Sequence, residues 1–287
     1  MAIALETGSL APGLYLVSTP IGNARDITLR ALDVLASADV LAAEDTRSLR
    51  RLMEIHGVPL SGRQVLAYHD HNGPEARPKL LSALSDGQAV AYASEAGPPL
   101  VSDPGYALVR EATRSGHRAF GVPGASAALT ALVVAGLPSD RFTFAGFAPT
   151  GRGARRTFLG DMSHLKGTLI FYETPKRLSA FLDDALSELG GTRQAVICRE
   201  LTKRFEEVRR GTLEELRDGL SDMSLKGEAV VCIGPAEEVA ISEEDVKTAM
   251  AQEMETAPVK EAARRVSEAL GVSRRDAYQI GLSLKGK

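Results

Sequence analysis

The stretch VAYASEAGPPLVSDPG, residues 90–105, decides the fold. Val90-Ala91-Tyr92-Ala93 is a short unbroken apolar run, as a strand buried on both faces of a parallel sheet requires. The chain then changes character at once, to Glu95, small residues, prolines, Asp103 and a Pro-Gly stop. Loops at the carboxyl ends of strands are where open α/β sheets take their ligands. Gly97 permits close approach to the backbone, while Pro98, Pro99 and Pro104 restrict the loop and lower the entropy lost on binding. A rigid turn from strand to helix gives the same pattern, so this stretch alone leaves both readings open.

Outward from it the first half alternates strands and helices. Strands are expected at 13–18, 40–43, 65–68, 90–93 and 119–122. Helices are expected at 28–37, capped by Thr28, from about 46 to 56, and at 74–85, 105–115 and 127–135. Polar or small-residue loops separate them: Thr19-Pro20-Ile21-Gly22-Asn23, Glu44-Asp45-Thr46-Arg47, His69-Asp70-His71-Asn72 and Pro123-Gly124-Ala125-Ser126. This alternation predicts an α/β fold with a mostly parallel sheet covered on both faces. Gly136-Leu137-Pro138-Ser139-Asp140 reads as a hinge. Beyond it strands are expected at 142–147, 168–172, 194–198 and 229–233, with an edge strand at 205–210 and helices at 175–189 and 212–220. The closer strand spacing predicts a mixed sheet. From Ser242 the chain is strand-poor, with an acid-rich capped helix start, a helix at 259–270 ended by Gly271, and a third helix capped by Ser273. That tail reads as a helix-turn-helix module or as a bundle extending the core. The domains expected are 1–136, 137–238 and 239–287.

Composition narrows the function classes. Hydrophobic residues at 44% and charged residues at 25% are ordinary for a globular chain of this length. A net charge of −3 argues against a basic nucleic-acid coat but leaves room for a local basic face. Cys198 and Cys232 each sit in an apolar run and read as free thiols of a reduced compartment. No apolar run reaches the ~18 residues that span a bilayer, and no signal-peptide pattern is present, so a cytoplasmic protein without a membrane partner is expected.

The loops, in order, are STPIGN (18–23), AEDTR (43–47), YHDHN (68–72), SDPG (102–105), GLPSDRF (136–142), FYE (171–173) and RELTK (199–203). With these motifs the chain resembles the bacterial 16S ribosomal RNA cytidine 2′-O-methyltransferases of the tetrapyrrole-methylase fold, from about Gly13 to the C-terminus. The resemblance implies two α/β domains with S-adenosylmethionine in the cleft between them, a helix-turn-helix-like tail, a homodimer, and 16S ribosomal RNA in the small subunit as substrate. It places the cofactor against Pro20 and Gly22, the loop Glu95, Gly97 and Pro98, the segment Ser126 and Ala127, and the second-domain residues Tyr172, Arg199 and Glu228. Glu95 and Pro98 depart from the family's usual Asp and Thr.

A sulfonium donor is already activated, so the protein must align donor and acceptor and help a ribose hydroxyl lose its proton. Carboxylates, imidazoles or a lysine on carboxyl-end loops are the candidates: Asp103, His69, His71, Glu200 and Lys203. No metal is expected, because the two histidines lack a third ligand at a recognisable spacing. Arg152, Arg155 and Arg156, between Gly151 and Gly153, are expected to form a mobile segment gripping RNA phosphates, with Lys176 and Arg177 beside it. Two other functions compete. One is a tetrapyrrole methylase acting on a small molecule. The other is a metabolite-sensing regulator whose tail binds DNA, which the weakly charged tail disfavours.

Overall fold

Leu14 and Tyr15 are neighbours in strand β1 (Gly13–Val17) yet enter opposite hydrophobic cores, the mark of a sheet covered on both faces. The computed structural model describes residues 5–69, 71–222, 226–236 and 242–285. Asp70 and the expected boundary at 238/239 lie outside the described residues. β1 is joined by β2 (Val40–Ala43), β3 (Val65–Ala67), β4 (Ala89–Ala93) and β5 (Ala119–Val122) in the order β3-β2-β4-β1-β5, with every pairing parallel. Helices α1 (Leu29–Ser37) and α2 (Thr46–Ile55) lay Leu32, Leu35, Leu49 and Met53 on one face. Helices α3 (Gly73–Ser85) and α4 (Tyr106–Arg114) lay Leu80, Leu84 and Leu108 on the other. Thr28 caps α1 by accepting from Ala31 N at 3.1 Å, as its residue type demands. All five residues of β4 are buried, which is why it reads as a continuous apolar run.

The second sheet holds β6 (Phe142–Phe147), β7 (Thr168–Glu173), β8 (Gln194–Arg199), β9 (Glu207–Thr212) and β10 (Ala229–Ile233), ordered β6-β7-β10-β8-β9. Only β6 and β7 pair parallel, so the sheet is mixed as expected, with β9 at an edge. Helices α6 (Arg152–Gly160), α7 (Pro175–Leu189) and α8 (Leu213–Asp218) cover one face through Leu159, Phe181 and Leu213. The other face is covered by α5 (Ala127–Ala135), whose Ala128, Ala131 and Leu132 pack on Ile170, Val196 and Val230. Although α5 follows the last strand of the first sheet in the chain, it packs on the second. Its small side chains let it lie close.

The arginine segment corrects an expectation. Residues 152–156 open helix α6, with Gly151 as its N-cap and Gly153 inside it. Helical spacing turns Arg152, Arg155 and Arg156 to one side, toward α7. Arg155 is only 5% exposed and meets the buried Asp184 at 2.6 Å, and its Nη1 donates to the Thr150 carbonyl. Arg152 reaches the same carboxylate at 3.3 Å, and Arg156 pairs with Glu188 at 2.5 Å. Arg177 pairs with Glu173 and donates to the Ala148 carbonyl. Arg152, Arg155 and Arg156 thus tie α6 to α7, and Arg177 ties α7 to β7 and the loop after β6.

The chain divides into two compact units, Met1–Ala236 and Glu237–Lys287. The second unit contains α9 (Glu243–Met254), α10 (Val259–Leu270) and α11 (Arg274–Lys285), around a core of Val246, Met250, Val259, Ala262, Ala263, Val266 and Ala277. Ser242 and Asp245 form a capping box on α9, and Gly271 ends α10 at φ 68°. A Cβ on Gly281 would stand 2.5 Å from Met250 Cε, so this glycine sets how closely α11 packs. Among the described residues no helix is long and apolar enough to cross a membrane.

Removing one partner of a buried ion pair leaves an uncompensated charge, at a cost of about 3–5 kcal/mol. Arg155→Ala is expected to lower unfolding stability by about 3 kcal/mol, the low end of that range, because Arg152 still reaches Asp184. Urea denaturation measures it.

Candidate functional site

Strand β4 lies between β2 and β1, so the loop leaving its carboxyl end opens between the loops leaving those two strands. Both neighbours hold it. Thr19 N donates to Gly97 O at 2.9 Å and Gly97 N to Thr19 O at 3.0 Å, while Glu95 N donates to Glu44 Oε2 at 3.3 Å. Ser94 Oγ donates to Gly97 O as well. Gly97 adopts φ +81° and its polar backbone groups are already used within the protein. A glycine stands there because the turn is left-handed; an ideal Cβ would meet only ordinary contacts, at 3.6 Å.

Across the cleft stand the loops of the second sheet. A Cβ on Gly22 would lie 2.5 Å from Lys203 Cγ and 2.8 Å from Thr202 Oγ1. Asn23 N donates to Thr202 Oγ1 at 3.1 Å, so the loop after β1 is seated directly on the loop after β8. Between them is a cavity of about 980 Å³, the size of a small-molecule or cofactor pocket. Pro20, Gly22, Glu95, Gly97, Pro98, Asp103, Ala127, Tyr172, Glu200, Lys203 and Glu228, all expected at the site, line it together.

Four expected residues do not line the cavity: His69, His71, Ser126 and Arg199. His69 follows β3 at the edge of the first sheet; its backbone N–H donates to Asn72 Oδ1 and its ring packs edge-on against His71. Ser126 is the N-cap of α5, beside the lining Ala127. Arg199 is buried and fully engaged: Nε donates to Glu207 at 3.0 Å, Nη1 to the Lys226 carbonyl and Nη2 to the Phe205 carbonyl. It shapes the loop from behind. Glu44, Thr19, Phe147, Arg47 and Arg51 line the cavity without having been expected there. Glu44 was findable, because it follows the end of β2 as Glu95 follows the end of β4.

The ionisable groups fall into distinct states. Lys203 donates to Glu200 Oε1 and Glu228 Oε2, both at 2.9 Å. Burial alone would lower its pKa, but those two hydrogen bonds raise it above the usual lysine value. Glu200 feels partial burial upward, yet Lys203 and the Glu228 amide hold it below the usual carboxylate range. Both shifts favour the charged forms, Lys203 as a cation and Glu200 as a carboxylate. Asp103 differs: burial first, then the fields of Glu44, Glu95 and Glu228, push its carboxyl up to about 7. Its Oδ2 is buried and accepts no hydrogen bond from the described residues. Tyr172 accepts from Ala128 N at 3.3 Å at the start of α5, and burial together with Asp103 and Glu228 keeps its phenol protonated. Cys198 also lines the cavity, its thiol pushed up to about 11 by burial.

Four positive-φ residues without glycine's freedom border this cleft: Leu100 (72°) and Ser102 (61°) on one side, Glu200 (51°) and Thr202 (65°) on the other. Backbone held in sparsely populated regions concentrates where a ligand is clamped.

Comparison with known proteins agrees with this architecture. Residues 13–217 match the family model of Tetrapyrrole (Corrin/Porphyrin) Methylases, and residues 240–285 match the RsmI C-terminal HTH domain. The Ribosomal RNA small subunit methyltransferase I of Mesorhizobium japonicum is 49% identical over 277 residues, covering 96% of this chain and 93% of that one. Among solved structures, the methyltransferase CobJ superposes with a TM-score of 0.61 at 18% identity, over 79% of this chain and 95% of that one. A uroporphyrin-III C-methyl transferase from Thermus thermophilus, complexed with S-adenyl homocysteine, does so with a TM-score of 0.54 at 20% identity, over 79% and 99%. The two-sheet fold, the cleft between the sheets and the near full-length similarity agree: this chain belongs to the ribosomal RNA small subunit methyltransferase I family, built on the tetrapyrrole methylase fold.

Proposed function

We propose that the chain transfers a methyl group from S-adenosylmethionine to the 2′-hydroxyl of a cytidine in 16S ribosomal RNA, within the small subunit in the cytoplasm, and that Asp103 is the base. The observation that carries this reading is a carboxyl group with a pKa of about 7 facing the cavity, its buried Oδ2 without a partner. A base poised near the working pH is what a ribose hydroxyl needs.

The residues present fit the cofactor. Glu44, Glu95 and Glu228 put a negative field on Asp103, and the same field favours a cationic ligand. Ile21, Pro98, Ala127 and Val230 offer apolar walls for an adenosine. Bound there, S-adenosylmethionine supplies a methyl group already activated as a sulfonium. Asp103, ionised, accepts the hydroxyl proton as the new O–CH3 bond forms and the S–CH3 bond breaks, its electron pair staying on sulfur. Lys203 remains a fixed cation tying Glu200 to Glu228, a positioning residue and no base.

Besides Lys203, the cations that line the cavity are on α2. Arg47 is paired with Asp45 and Arg51 with Glu54; the side chains of both arginines are well exposed and line the mouth. Exposed ion pairs contribute little to stability and exchange cheaply for a phosphate. The homodimer rests on α5. Apart from Thr130 its sequence AALTALVVA is apolar all round, and Leu129 (51%) and Val133 (82%) are exposed on the side turned away from the second sheet. A helix apolar on every side is expected to be covered on every side.

Three measurements follow from this reading. Labelled S-adenosylmethionine with undermethylated small subunits is expected to place label in a ribose; label in a base, or none, removes the proposed function. In the parent, kcat/KM is expected to rise with pH through about 7, as Asp103 ionises in the free enzyme. Asp103→Asn is expected to abolish that limb and lower kcat by ~10²-fold or more; an unchanged profile removes Asp103 as the base. Val133→Glu is expected to turn a dimer into a monomer in sedimentation equilibrium, whereas a monomeric parent removes the dimer.

A further inference from the structure

The loop between β8 and β9 carries a group that the cleft chemistry does not use. Phe205 is 68% exposed. Single exposed hydrophobic residues are common on protein surfaces, but this one is presented by a fixed backbone. Its carbonyl accepts from the buried Arg199, Thr202 N donates to Glu206 Oε2 at 2.6 Å, and Glu206 N to the Lys203 carbonyl at 3.2 Å. The guanidinium carbon of Arg204 lies 5.4 Å from the Phe205 ring centroid, and Arg204 makes no ion pair among the described residues. Lys203, two positions earlier, lines the cavity.

We infer that Phe205 is a stacking platform for an unpaired base of the RNA strand beside the target nucleotide, with Arg204 meeting an adjoining phosphate. The inference rests on the ribosomal RNA reading above. A ribose reached inside a cavity of about 980 Å³ must belong to a nucleotide drawn out of helical stacking, because a duplex is too wide to enter it. Its neighbours then lose stacking partners at the cleft mouth. An aromatic face with an unpaired guanidinium beside it replaces the lost stack and answers the backbone charge at once. In sequence the ring is flanked by Lys203, Arg204, Glu206 and Glu207, all charged, rather than by the apolar neighbours that a protein partner uses.

The chain contains no tryptophan, so Phe205→Trp introduces a single indole whose emission reports stacking directly. Undermethylated small subunits and protein-free 16S ribosomal RNA are each expected to quench it saturably. Phe205→Ala is expected to raise the KM for subunits roughly 5- to 150-fold, the range for losing one stacked base, with kcat and S-adenosylmethionine affinity unchanged. Phe205→Tyr is expected to keep the parent KM. Absence of quenching, or a parent-like KM in Phe205→Ala, overturns the stacking role. Quenching by subunits but not by protein-free RNA also overturns it, since the ring then meets a ribosomal protein. If the parent itself transfers no methyl group to subunits, the proposed function fails; if the parent transfers and Phe205→Ala is unaltered, the stacking role alone fails.

Discussion

A Cβ on Gly22 would stand 2.5 Å from Lys203 Cγ, so the loops leaving β1 and β8 meet at a separation that only glycine permits. Two sheets with different strand patterns, each with its own core, become one binding cleft through that contact. Lys203 is fixed in turn by Glu200 from its own loop and Glu228 from the approach to β10. A residue larger than glycine at position 22 would displace the lysine and release both carboxylates. The left-handed backbone at Glu200 and Thr202 shows what the arrangement costs, since non-glycine residues adopt that region only where surrounding contacts impose it.

With Lys203 already shared between two carboxylates, Asp103 makes no ion pair among the described residues. Its raised pKa has a consequence for stability. The folded protein holds that proton more tightly than the unfolded chain, whose carboxyl titrates near 3.8. This group therefore contributes stability that is fully present below that value and is lost as pH rises through about 7. The pH at which Asp103 becomes useful as a base is the pH at which it weakens the fold. A cationic ligand relieves the conflict by supplying the missing charge. The empty-handed carboxylate is thus a stability defect that ligand binding repairs.

The elements of the fold were legible because their signals are local. Thr28 caps where a cap belongs, β4 is an unbroken apolar run between two turn-rich loops, and Gly271 ends α10 in the left-handed conformation. The loop from Glu95 to Asp103, with Glu200 and Lys203, was legible as polar residues at strand ends, whereas Pro20, Gly22, Ala127, Tyr172 and Glu228 came from the family resemblance. What lay hidden depends on partners distant in sequence. Arg155 resembles a phosphate grip until Asp184, 29 residues on, is seen to hold it. Arg199 stands in a functional-looking motif and spends its donors on Glu207 and two carbonyls. Gly97 was read as an approach for a ligand; it lines the cavity, and its φ and its bridge to Thr19 add a requirement for glycine that depends on a partner 78 positions away. Helix α5 gave no sign that it crosses to the second sheet, because a helix apolar all round has no face to point with.

The cleft also resolves an apparent contradiction between an acidic interior and a polyanionic substrate. Glu44 and Asp103, both partly buried, make the inner part of the cleft repel phosphate, and the exposed Glu95 and Glu228 add to that field. Arg47 and Arg51, at the same cavity's mouth, attract it. On the proposed reading this gradient orients the RNA. Backbone phosphates stay at the rim, where solvent screens the carboxylates behind them. Only the uncharged ribose edge of one nucleotide goes deeper, to the carboxylate that takes its proton. A basic interior would bind the strand more tightly and hold its phosphates where the hydroxyl must be. A net charge of −3 on the chain does not conflict with attraction confined to a local rim. Attraction is confined to a rim, and the chemistry is kept where charge of the opposite sign stands.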